Sequence, residues 1–99
     1  MAALNRRAMA AYDRLDLDQA MDLLRRALQT GGSSRQLVAL THVHLGVVLA
    51  GGFKQPGLAV KHFRIARGLV PDAAPAPRLF NPEVGAAFRE AAAATLGRR

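Results

Sequence analysis

Ninety-nine residues with a formal net charge of +7 and no cysteine leave no room for a second core, and exclude disulfides, thiolate catalysis and cysteine-based metal sites. About half the residues are hydrophobic, much of that alanine, and only 5% are aromatic. This suits closely packed helices and not a sheet with bulky β-branched faces, so the fold class expected is all-α. Chains of this size bury only about two-thirds of their unfolded surface, which puts a premium on efficient packing.

The first helical segment runs from about Ala3 to Arg14. A second begins at Asp16, whose carboxylate can cap free amides, with Gln19 completing a capping-box pattern, and it stops at Gly31-Gly32. Ser33 with Gln36 repeats the pattern and opens a third segment reaching about Ala50, where Gly51-Gly52 ends it. The fourth starts at Pro56, where a missing amide costs nothing, and ends before Pro71. The stretch 72–80 is proline-rich and reads as an extended linker. Asn81-Pro82-Glu83 then starts a fifth helix, with Gly97 as its stop.

Apolar spacing supports these segments. In the second, Leu17, Ala20, Met21, Leu24, Ala27 and Leu28 form one stripe, and in the fourth Ala59, Val60, Phe63, Ala66 and Val70 do the same. Each stripe needs a partner helix, and the short connections make the sequence neighbour the natural one, as an antiparallel hairpin.

Shifting the chain by 39 residues aligns Ala20 with Ala59, Met21 with Val60, Leu24 with Phe63 and Ala27 with Ala66. Small residues seven apart with a large one between them resemble the second helix of a tetratricopeptide (TPR) unit. The run from Ala10 through Tyr12, Leu15 and Asp16 to Met21 is similar to the family's passage from first helix to second. Ala8 lies twelve residues before Ala20, as the family's small contact residue does, Leu45-Gly46 takes the corresponding place in a second unit, and Pro71 closes that unit. There are departures from the pattern. Gly46 to Ala59 is thirteen residues, implying one extra residue in the Gly51–Pro56 turn, and Leu4 and His42 replace the usual large residue of the first helix. The resemblance covers roughly residues 2–71. It implies a single domain of about five helices in a short right-handed superhelix: repeat one 2–32, repeat two 34–71, linker 72–80 and a capping helix 81–97. Val84, Ala87, Phe88, Ala91 and Leu96 are available for the cap to pack, ahead of the alternative in which the open face receives a second copy of the chain.

The residues do not assemble an active site, and the expected class is non-catalytic, with no cofactor and no metal. On a helix His42 and His44 point about 200° apart, and His62 has no carboxylate nearby in sequence. Asp13, Asp16, Asp18 and Asp22 cluster at the first turn, but Asp16 serves better as a cap, and acids at a helix start complement its dipole.

Surfaces remain. The resemblance implies a concave groove built by the first helices, lined by Asn5, Arg6, Met9, Tyr12 and Asp13 and by Leu40, Val43, His44 and Val47, that takes a peptide or helix of a partner protein. Val43 and Val47 read equally as core. Between Asp22 and Asp72 no acidic residue occurs, so an acidic partner is favoured. Lys54, Lys61, Arg64 and Arg67 would form a separate outer basic patch, whose competing readings are a solvated face or phosphate binding to nucleic acid. Against nucleic acid, there is one tyrosine and no tryptophan for base stacking. Self-assembly is the third alternative. Neither a signal peptide nor a bilayer-length apolar run is visible, and the expected location is the cytoplasm.

Overall fold

A computed structural model describes residues 1–96 and is all-α. Its helices are α1 (Ala2–Asp13), α2 (Leu17–Gln29), α3 (Arg35–Val47), α4 (Pro56–Leu69) and α5 (Pro82–Leu96). Local chemistry sets most of the starts. The Gln19 amide donates to Asp16 Oδ1 at 3.3 Å, and the Val84 amide donates to Asn81 Oδ1 at 2.8 Å. The α3 cap is Ser34 and not Ser33: the Leu37 amide donates to Ser34 Oγ at 3.1 Å. The expected stop of α5 at Gly97 lies outside the described residues, as does the side chain of Leu96.

The end of α3 departs from expectation. Gly51-Gly52 does not stop the helix but belongs to a π-helical turn, Val48–Gly52. Its wide ladder closes with Phe53 N–H donating to Val48 O at 3.0 Å and Gln55 N–H donating to Leu49 O at 2.8 Å. The extra residue of the second hairpin is therefore absorbed inside the helix rather than in the Gly51–Pro56 connection.

α1 packs on α2, and α3 on α4, as two successive hairpins, and α5 packs on α4. The seam between α3 and α4 is tight: a Cβ at Gly46 would overlap the Phe63 ring. Phe63, Leu23, Leu24, Leu45, Val43, Val47, Val48 and Val84 are the largest fully enclosed apolar side chains. Each contributes roughly 1.5–3 kcal/mol of burial. The α2 stripe is shifted slightly from its expected position, because Leu28 is 38% exposed and Leu23 is buried in its stead.

Residues 70–81 do not stand off as a linker. Ala73, Pro75 and Leu79 are buried, and Pro77–Leu79 forms one 3₁₀ turn. This strap retraces the length of α4. Fourteen helical residues rise about 21 Å, and about seven extended residues cover the same span. Accordingly α5 begins beside the start of α4, with Lys54 and Pro56 near Pro82 and Glu83, and continues in the same direction, with Phe63 and Arg67 against Phe88. α1, α3 and the strap thereby border a common surface. No helix of the described residues is long and apolar enough to cross a membrane.

Candidate functional site: a groove between α1, α3 and the strap

α1, α3 and the strap border an open groove of about 380 Å³. Ala2, Arg6, Met9, Ala10 and Asp13 of α1 form one wall, Asn5, Leu40 and His44 the floor, and Ala76, Arg78 and Leu79 of the strap the other wall. Two turns of helical spacing bring Arg6, Met9 and Asp13 to one face of α1, and Leu40 and His44 share a face of α3 by the same periodicity. Arg78 Nη1 lies 3.4 Å from both carboxylate oxygens of Asp13 and closes one end of the groove. Since both partners are about half exposed, this pair contributes little to stability. It does neutralise the acid in the groove and leaves Arg6 as its unpaired charge.

Beneath the groove runs a short polar seam between α1 and α3. Asn5 and Thr41 are the buried polar residues of the described chain. Asn5 Nδ2 donates to Thr41 Oγ1 at 2.9 Å and to Met1 O at 3.1 Å, and the Thr41 hydroxyl donates to Leu37 O at 2.8 Å. These partners fix the orientation of the Asn5 amide, because flipping it would set its oxygen against the Met1 carbonyl. Asn5 Oδ1 then faces His44 Nδ1 at 2.7 Å, so His44 carries its proton on Nδ1 and donates it. Burial, aided by the charge of Arg78, lowers the His44 pKa to about 4. The ring is neutral at pH 7, and its Nε2 is a bare acceptor with no protein partner, on a residue that lines the groove.

Six of the nine residues expected in the groove line it: Asn5, Arg6, Met9, Asp13, Leu40 and His44. The other three are placed elsewhere. Val47 is completely buried in the core. Val43 is 2% exposed and borders a smaller apolar pocket with Gln36, Ala39, Leu40, Val70, Ala73 and Ala74. Tyr12 is half-buried at a junction where its hydroxyl meets Gly51 and Asn81, and desolvation raises its pKa. The strap residues Ala76, Arg78 and Leu79 were missed because a run of alanine and proline carries no amphipathic signal.

The four basic residues do not gather into one patch. Lys54 Nζ lies 3.6 Å from Glu83 Oε1. Arg67 turns inward, donating from Nη1 to Ala73 O at 3.2 Å and lying 5.5 Å over the Phe88 ring, and its Nε is enclosed without a partner. Lys61 and Arg64 remain exposed on α4. The acidic cluster is likewise dispersed: Asp13 faces Arg78, Asp16 caps α2 and Asp22 sits 4.0 Å from Arg26. No group of three or more histidine, aspartate or glutamate side chains converges among the described residues. Comparison with protein-family models, with curated proteins and with solved structures found no match.

Proposed function

We propose that this chain is a non-catalytic binding module of the TPR kind, which takes an extended segment of a partner protein in the groove between α1, α3 and the strap. One observation carries the reading: an open groove that combines apolar lining (Met9, Leu40, Leu79) with polar groups (Arg6, Arg78 and the acceptor nitrogen of His44). Such a mixture suits a ligand held by side-chain burial and oriented by a few hydrogen bonds. With Asp13 engaged by Arg78, the free charge is positive, which favours a segment bearing carboxylates. Further support for the TPR reading comes from the close seam at Gly46 and Phe63 and from the buried alanines Ala8, Ala20, Ala27, Ala59 and Ala66.

The test uses peptides selected by display against the intact chain. They should perturb the backbone amide signals of α1 and α3 along the groove. Leu40→Glu, at a lining residue that is 37% exposed, should weaken their binding at least tenfold with the fold intact, and Arg6→Glu should invert the preference for acidic sequences. Selected peptides that bind Leu40→Glu as well as the parent chain would sink the proposal. Retardation of generic duplex that collapses with rising salt would move it to nucleic acid.

A further inference from the structure

The contact between α3 and α4 holds a feature that the groove does not use. His42 of α3 and His62 of α4 approach through like atoms, with Nδ1 to Nδ1 at 3.0 Å, ring centroids 5.2 Å apart and ring planes inclined by 22°. That centroid separation is close to the nitrogen separation plus the two ring radii. The rings therefore meet almost head-on rather than stacking face to face. Two identical nitrogens can bond this way only if one ring keeps its proton on Nδ1 and donates it, while the other keeps its proton on Nε2 and accepts. One proton thus occupies a position where two imidazole lone pairs can converge.

We propose that His42 and His62 form a two-histidine site for one first-row divalent transition-metal ion, Cu²⁺ in preference to Ni²⁺ or Zn²⁺, bridging α3 and α4. Two imidazole nitrogens bound to one ion at about 2.0–2.1 Å, subtending an angle of about 90–110°, lie about 2.8–3.4 Å apart. The observed spacing is already in that range, and a pivot of each ring by about 40° turns both lone pairs onto a common point. The exchange balances. The ion accepts both Nδ1 lone pairs, the single Nδ1 proton passes to solvent, and the Nε2 of that ring takes one up, so both imidazoles stay neutral.

The surroundings select the class of ion. Lys61 is the fixed charge that acts on His62, and no carboxylate acts on either ring. A ligand set of imidazole without carboxylate discriminates against Mg²⁺ and Ca²⁺, and the order among the others follows their intrinsic affinity for nitrogen. Both rings are partly exposed, which leaves the remaining coordination positions to water. A bound ion would tie the two helices of the second hairpin together and stabilise the folded chain by mass action.

The experiment is a titration of the intact chain with CuCl₂, NiCl₂, ZnCl₂ and MgCl₂ near neutral pH, read by thermal midpoint and by the imidazole nitrogen signals. The expected result is one equivalent of Cu²⁺ bound, with the signals of His42 and His62 responding, a raised midpoint, weaker effects of Ni²⁺ and Zn²⁺ and none of Mg²⁺. His42→Gln and His62→Gln, each at the partly exposed edge of the seam, should each lose at least tenfold in affinity. Affinity unchanged in either glutamine variant would place the ion elsewhere, at His44 or the terminal amine, and overturn the proposal. So would an absence of binding at millimolar metal, which would leave the pair as a hydrogen bond alone.

Discussion

The two hairpins are built on one plan and differ in how they handle a single residue. In α1–α2 the turn is short and its cost is local: Leu15 is held at φ 64° with its side chain 81% exposed. In α3–α4 the extra residue widens the helix itself at Val48–Gly52, and the connection to Pro56 carries Lys54 at φ 58°. The seams differ as well. The first hairpin joins small and aliphatic side chains, Ala8, Ala11, Ala20 and Leu24, whereas the second sets one phenylalanine against a glycine. An extra residue is tolerated when the wider turn it creates finds partners. Here those partners are Tyr12, Asn81 and Val84, from two other parts of the chain.

This contrast can be broken by mutation. Phe63→Ala should be the most damaging change, costing about 3–5 kcal/mol because Gly46 offers no side chain to fill the space, and Leu24→Ala should cost less, about 2–4 kcal/mol. Denaturant midpoints measured at constant m-value would rank the two. Next in size is the polar seam that joins the hairpins through α1 and α3. The His44 pKa is lowered to about 4 on folding from 6.5. The folded state therefore favours the neutral ring. Its contribution is complete above pH 6.5 and is lost as the pH falls toward 4, by about 3 kcal/mol in all. His44→Gln should flatten the stability profile in that window. If the variant and parent lose stability in parallel, the assignment of the neutral ring is wrong.

Gly51→Ala should cost about 1–3 kcal/mol, because the new methyl group meets the Tyr12 hydroxyl. Tyr12→Phe removes that atom, and a double-mutant cycle should show the two changes to be coupled. The smallest effect is a gain. Leu15→Gly relieves a left-handed leucine whose side chain is exposed, and should stabilise by about 0.5–1 kcal/mol, seen as a small rise in melting temperature.

Legibility in the sequence followed the range of the interactions. Asp16, Pro56 and Asn81-Pro82 mark helix starts through chemistry within three or four residues, and those starts were readable. Periodicity also identified the buried faces of α2 and α4, apart from the exchange of Leu28 for Leu23. The strap was not readable, since alanine and proline specify no face and their burial depends on Met9, Leu40 and Phe88 from other helices. Lys54 and Arg67 looked like surface charges for the same reason: Glu83 and Phe88 belong to α5, and nothing in α4 announces them. For His42 and His62 a signal was present. They stand at equal distances on either side of Gly52, and an antiparallel hairpin turning there brings such positions together.

The π-helical turn has one further consequence. From Leu45 to Ala50 every residue is buried, a pattern that a regular helix with one wet side does not produce. The inserted residue advances the phase of the helix by about a third of a turn relative to an unbroken spiral. Upstream, the face is set to the floor of the groove. Downstream, it is set to α5. Val48–Gly52 thus works as a fixed gear between two meshings, and removing one tooth would leave either half intact but out of step with the other. Indels should be tolerated at Gly31-Gly32, where neither added Cβ would touch anything, and rejected here, even where the residue removed is itself a glycine.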